Sequence, residues 1–539
     1  MNRAPAGEPL HERVAGVLEW ICNPILVKEL RGSLRGARFF VAFIVVLALV
    51  AASLLVTFAA AMGRTGYGHA EDASSIGRTV LMVLQFLELG VVFLIVPGLA
   101  ATSLTTERES LTHELLVTTT LNARQIVWGK FSAAMAQTLT VLMAMLPLIG
   151  LCFLFGGVTV YQILANYAFL VLLSALIVAF ALFVSAQAGS TQIAVGSVYG
   201  LSFVGGAISL LVLGSVVRYS DAAEAFEAYG FVTEGRRWPG AGFTPAQTVL
   251  YVYALPGFLW AALFSLFFIS AVNRLKPLFA NRSTNVRLHA VAVTLGALAL
   301  TRWIWEDAVR PGLPPGSYVE ALMAILTATC GVVLLLSLFA CEETVIPAHL
   351  RARAEAWRGL RRAGRLLWPG AASGAAFTVV LTLVLCALLA VLFGPYARGL
   401  ARGVWTGAPG WLPFAAALTA VVCWSLLCAT LGRWLSAVLP HRPVLVRVIH
   451  VLGTIVLTLA PLLHWAVATE IQGNRSPGGI SGPWSLHLSP VAAVLGALDV
   501  SRDFPFKALG IPLPLGFPIF ALLVSAALHG MARRRSPKS

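Results

Sequence analysis

Runs of twenty or so predominantly apolar residues recur from one end of this chain to the other, and no other feature narrows its fold as much. At ~1.5 Å rise per residue, each run crosses a hydrocarbon core of ~30 Å. Backbone amides and carbonyls find no water in the bilayer core, so a spanning segment must close its hydrogen bonds as a helix or within a barrel. These runs are too long and too little alternating for barrel strands. The fold class is therefore all-α, a polytopic membrane protein, in keeping with 58% apolar and only 11% charged residues.

The pattern predicts about twelve transmembrane helices. They lie at residues 39–62, 80–104, 132–156, 165–188, 192–217 and 249–272 in the first half, and at 288–305, 319–341, 373–395, 411–437, 444–469 and 511–531 in the second. The seventh is short and carries Arg302, and Pro514 and Pro518 interrupt the last. The first 38 residues are largely polar and the first run is too long for a signal peptide, so no cleaved leader is expected.

Lys and Arg mark the cytoplasmic side, because positive loops are retained there. With the N-terminus inside, 24 of the 38 Lys and Arg fall in inside segments and 11 in outside ones, while Arg302, Arg433 and Arg447 lie in the spans. Both termini are expected to be cytoplasmic, and the protein to sit in the cytoplasmic (inner) membrane. A net charge of +15 would suggest nucleic acid in a soluble chain. Here anionic lipid accounts for it, each exposed cation near the headgroups being worth ~1 kcal/mol, and no nucleic-acid partner is expected.

Loop lengths repeat between the halves: the connections at 63–79, 105–131, 157–164, 189–191 and 218–248 find counterparts at 306–318, 342–372, 396–410, 438–443 and 470–510. Six is even, so the halves form two parallel six-helix repeats. The expected organisation is a cytoplasmic N-terminal segment 1–38, a six-helix unit 39–272, a cytoplasmic join 273–287, a second unit 288–531 and a basic tail 532–539. The seven cysteines lie in or beside apolar spans without a CxxC pair, and read as small packing residues. His450, His464 and His529 have no carboxylate at ligand spacing, so no metal site is expected.

The segment Glu107-Arg108-Glu109-Ser110-Leu111-Thr112-His113-Glu114-Leu115-Leu116 stands out between the second and third spans. Thr106 followed three residues later by Glu109 predicts a capping box. Glu107 and Glu109 then occupy the first turn, where the macrodipole favours anions. Leu111, Leu115 and Leu116 fall on one side of this helix with the Arg108 stem, and Glu107, Ser110 and Glu114 on the other. The acidic side could meet a cytoplasmic partner; a solvated loop with a well-capped helix would use the same residues.

Two stretches resemble the permease (transmembrane) subunits of type-2 ATP-binding-cassette (ABC) exporters. Asn23-Pro24-Ile25-Leu26-Val27-Lys28-Glu29-Leu30-Arg31 is similar to their amphipathic elbow helix, with Asn23, Pro24, Lys28, Glu29 and Arg31 as its marked residues. Glu107, Arg108, Glu109, Thr112, Glu114, Leu115, Leu116, Thr119, Gly129 and Lys130 match the family's segment after its second span. Departures are Leu111 where the family has Gly, His113 where it has Leu, and Thr120 where Pro is common. The resemblance implies that Glu107, Arg108, Glu109, Glu114 and Leu115 couple to a separate cytoplasmic ABC ATPase subunit, in two copies, one under each half. ATP and Mg would be bound by that subunit and no cofactor by this chain. The chain has no GxxxxGK[ST] loop, since Phe131 follows Gly129-Lys130 and Arg124 stands where the first Gly belongs. It is thus expected to be a transport subunit rather than an enzyme.

The second half offers a fainter counterpart. Glu342 and Glu343 follow the eighth span, and His349 to Arg365 would form a basic helix including Arg351 and Arg358. It is either a second coupling helix or an interfacial helix on anionic headgroups. Within the membrane, Glu88 with Gln85 one turn before it marks a possible substrate path, because a mid-membrane carboxylate costs ~2.5–3.5 kcal/mol unless paired or wetted. Glu88 could touch a cationic or polar substrate or a proton, or simply hydrogen-bond within the bundle. Ser489 to Val500 is apolar enough to dip into the interface, with Trp484 as a headgroup anchor. An ion-coupled secondary transporter using Glu88 and a membrane-embedded transferase are the alternative functions.

Overall fold

The computed structural model describes residues 24–35, 37–65, 73–110, 122–154, 159–200, 248–277, 280–308, 315–342, 364–399, 411–440, 442–472, 484–498, 507–508 and 511–535, with the isolated positions 202, 349 and 352. They divide into two compact units, Met1–Pro277 and Leu278–Ser539, the division falling inside segment 273–287. Ten of the described helices are long and apolar enough to cross a membrane. The chain is a multi-pass α-helical membrane protein.

In the first unit, α1 (Pro24–Arg35) precedes α2 (Ala37–Thr65), α3 (Ala73–Ala101), the short α4 (Thr105–Glu109), α5 (Ala123–Leu154), α6 (Val160–Gln187) and α7 (Leu255–Leu275), the last entered through a π-turn at Thr248–Ala254. In the second, α8 (Thr284–Ala308), α9 (Pro315–Ser337) with a 3-10 turn at Leu338–Cys341, α10 (Ala371–Gly399), α11 (Trp411–Val438) and α12 (Pro443–Gln472) are followed by a 3-10 turn at Trp484–Leu488, α13 (Pro490–Leu498) and α14 (Leu513–Arg535). The only strands among the described residues pair Lys507–Ala508 antiparallel with Ile511–Pro512.

Ten of the twelve predicted spans fall on the ten candidate spans. The first lies on α2, whose described apolar stretch is Phe43–Thr57. The fifth is described over 191–200 and at 202 alone. The seventh begins earlier than predicted, at Thr284, because the Asn281 side chain accepts from the amides of Ser283 and Thr284 at 3.1 and 3.3 Å and caps that end. The twelfth starts at Leu513 and continues through Pro518 to Arg535, so part of the predicted tail is helical. Proline early in a helix lacks an amide that would otherwise be unpaired, and inside a membrane helix neighbours satisfy the carbonyl it frees.

Each unit is built around its fourth span. Helix α6 packs on α3, α5 and α7; α11 packs on α9, α10 and α14. In both units these partners are the second, third and sixth spans. Val178, Ala181 and Leu182 of α6, and Ala420, Val421, Trp424 and Cys428 of α11, are almost wholly buried. Helix α6 starts on a capping box, Thr159 accepting from the Gln162 amide while the Gln162 side chain accepts from the Thr159 amide. Trp424 donates from its ring nitrogen to Cys330 O at 3.1 Å, fixing α11 against α9. Cys330, Cys341, Cys386, Cys423 and Cys428 are buried free thiols.

The described part of Ser489 to Val500, α13, packs into the second unit against α11, α14 and α9, with Ala492, Ala493, Val494 and Leu498 fully buried. A short helix rich in Ala and Val fits between larger helices, which its hydropathy alone does not reveal.

Close approach in this unit rests on glycine at 374, where an added Cβ would collide with the backbone of Phe339 in the 3-10 turn. Gly374→Ala is expected to force α10 from that turn and to destabilise by about 1–3 kcal/mol, read as a lowered unfolding midpoint in detergent. An unchanged midpoint would count against this packing.

Candidate functional site

The predicted coupling segment begins directly on the end of α3. Thr102–Leu104 form a turn, and amides that α4 would otherwise leave unpaired are taken by carbonyls of that turn: Thr106 N bonds Thr102 O at 3.0 Å and Arg108 N bonds Leu104 O at 3.3 Å. The Leu104 amide donates to Ser185 Oγ of α6 at 3.3 Å. The expected capping box at Thr106 and Glu109 is therefore absent. With few free amides to cap, Thr106 Oγ1 turns back to Thr102 O at 2.7 Å, and Glu109 is free for another bond.

Each member of the acidic-basic-acidic triplet holds a different element. Glu107, expected on an outward acidic face, is buried: its Oε1 lies 3.0 Å from Lys130 Nζ of α5 and 3.6 Å from Lys28 Nζ of α1. Lys130, wholly buried, also donates to Glu29 Oε1 of α1 at 3.0 Å and to Ser103 O at 2.8 Å. Its ammonium thus makes two hydrogen bonds and ion pairs with both Glu29 and Glu107. Arg108 donates to Ala186 O at 2.9 Å and Ala188 O at 3.1 Å, capping the C-terminal end of α6 where a cation also complements the helix dipole. Glu109 accepts from the Thr191 amide at 2.7 Å and the Thr191 hydroxyl at 2.8 Å. One turn of chain thereby joins the ends of α3, α5, α6 and helix α1.

The second unit holds a comparable node. Glu342, just after the eighth span, receives Arg287 Nη2 of α8 at 2.8 Å, the Gly370 amide at 2.9 Å and the Ser283 hydroxyl at 3.0 Å, all on Oε2. Arg287 is completely buried. Its Nη1 donates to Leu366 O and Trp368 O, both at 2.5 Å, and its guanidinium lies 5.7 Å from the ring centres of both Phe339 and Phe377. Gly370 adopts φ 123°, a region L side chains rarely enter, and so offers both its amide and its carbonyl to this ion pair. In each unit a carboxylate past the second span is bound to a buried cation: Glu107 to Lys130, Glu342 to Arg287.

Glu88 lies on α3, within the candidate span Val83–Glu109. Helix α3 begins at Ala73, so the acid is about four turns along. It is fully buried; Asn166 Nδ2 of α6 donates to its Oε2 at 2.8 Å, and Tyr167 Oη lies 2.9 Å from its Oε1. Gln85 is buried beside it on α3. Asn166 and Tyr167 were not singled out from sequence, although an amide in the apolar run of α6 is the signal that finds such a partner.

Pro24, Lys28, Glu29 and Arg31 lie on α1, and Lys28 and Glu29 are brought to the Glu107 node while Arg31 is exposed. Asn23, Glu114, Leu115, Glu343, Arg351 and Arg358 lie outside the described residues. Among the described residues no three His, Cys, Asp or Glu side chains converge as metal ligands would. No protein-family model, curated protein or solved structure matches this chain.

Proposed function

We propose that this chain is the permease subunit of an ABC-type exporter in the cytoplasmic membrane, driven by ATP that a separate cytoplasmic ATPase subunit hydrolyses. The observation that carries this reading is the wiring of the Glu107-Arg108-Glu109 turn. Segment 111–121 is flanked by α4 and α5, so force on it enters the chain at both ends. From α4 the triplet bonds to α5, to the end of α6 and to Thr191, and Lys130 links α5 to α1. Helices hydrogen-bonded at their cytoplasmic ends move together, which is what a subunit driven from below requires. The comparable Glu342–Arg287 node supports a second point of drive under the other half.

Purification of the intact chain in mild detergent is expected to recover an ATP-hydrolysing subunit with it. Glu114→Lys with Leu115→Ala should weaken that association by about tenfold, the loss of ~1.4 kcal/mol of contact. Recovery of the chain without any ATPase, from membranes in which it is active, would overturn the proposal.

A further inference from the structure

The Glu88 cluster has a proton to place. In the six apolar spans of the first half, Glu88 is the sole Asp, Glu, Lys, Arg or His. The helices packed on α3, namely α2, α5 and α6, carry their cations Arg38, Arg64, Arg124 and Lys130 outside those apolar runs, and Lys130 is bound at Glu29 and Glu107. Its polar neighbours are uncharged, Asn166 at 2.8 Å and Tyr167 at 2.9 Å, and its exposure is 0%. An ionised carboxylate in such surroundings would have two neutral hydrogen bonds but no cation to offset its desolvation penalty.

Hydrogen positions point the same way. Tyr167 has one hydroxyl hydrogen but two oxygens in reach, Glu88 Oε1 at 2.9 Å and Leu142 O of α5 at 3.1 Å. We propose that Glu88 is a proton-binding site inside the membrane: it stands as a neutral carboxylic acid whose Oε1–H donates to Tyr167 Oη, while Tyr167 donates its own hydrogen to Leu142 O. Every short contact then has one hydrogen, with Asn166 donating to the acid's carbonyl oxygen. The proton closes a relay across α3, α6 and α5, and because Glu88 is wholly buried it exchanges with water only when these helices part. Exchange at Glu88 therefore reports opening of the bundle. This inference stands apart from the ATPase reading and holds for any driver of the movement.

Infrared spectroscopy of the full chain in lipid tests it. The wild type should show the C=O stretch of a protonated carboxylic acid that shifts on slow exchange into D2O and is lost in Glu88→Gln. Tyr167→Phe, which removes the acceptor, should keep the band but move it to higher frequency. Glu88→Gln mimics the neutral acid and should leave the unfolding midpoint unchanged, whereas Glu88→Ala lowers it. Wild-type and Glu88→Gln spectra that superimpose in the carboxylic-acid region would overturn the proposal, as would a Tyr167→Phe spectrum identical to wild type.

Discussion

Arg287→Ala is expected to lower stability by about 3–5 kcal/mol, because it leaves Glu342 in a buried site without its cation. The guanidinium holds three parts of the second unit at once: Glu342 after α9, the carbonyls of Leu366, Trp368 and Gly370 before α10, and its own helix α8. It also lies between Phe339 and Phe377, so truncation opens a gap against two rings. Arg287→Lys restores the charge but not the fork of donors, and should recover only part of the loss. The double variant Arg287→Met with Glu342→Leu should fall by less than Arg287→Ala, since it strands no charge. Equilibrium unfolding in detergent measures all three; a change below about 1 kcal/mol for Arg287→Ala would refute the account, the range of an exposed pair.

The contrast between what sequence showed and what it concealed follows from range. Spans are local properties of twenty consecutive residues, and ten of the predicted twelve lie on described membrane-length helices. The early start of α8 was legible too, in Asn281 three residues before Thr284. Partners are different. Glu29 and Lys130 are 101 residues apart, and Glu88 is 78 from Asn166. No periodicity reports such separations. Charge counting placed Lys130 and Arg287 only among the inside residues, and it does not show that both side chains are fully buried in ion pairs. The rule gives the side of the membrane, not the surroundings. Glu107 failed in the complementary way: an acid in a cytoplasmic loop was read as a docking face, while its real neighbour is a lysine on the next helix.

That correction changes how charge variants of the segment must be interpreted. Lys130→Met is expected to destabilise by about 3–5 kcal/mol, toward the lower figure because Glu29 is 30% exposed and water can partly solvate it. The loss has a definite origin: Glu29 and Glu107, both within 3.0 Å of the same ammonium, are left facing each other, and Ser103 O loses its donor. Adding Glu107→Gln removes one of the two repelling charges, so the double variant should be less unstable than the separate losses summed, with a coupling of about 0.5–3 kcal/mol. Additivity within error would mean that the two side chains do not interact. Lys28, 66% exposed at 3.6 Å, contributes little to this node, and Lys28→Ala should hardly move the midpoint. Loss of function in Glu107→Lys would thus reflect a third ammonium forced against Lys130 and Lys28, a failure of folding before any failure of docking. Glu114 and Leu115 separate the two effects. If they weaken ATPase association while the unfolding midpoint holds, and Lys130→Met lowers the midpoint, then partner contact and internal wiring occupy neighbouring but distinct parts of one segment.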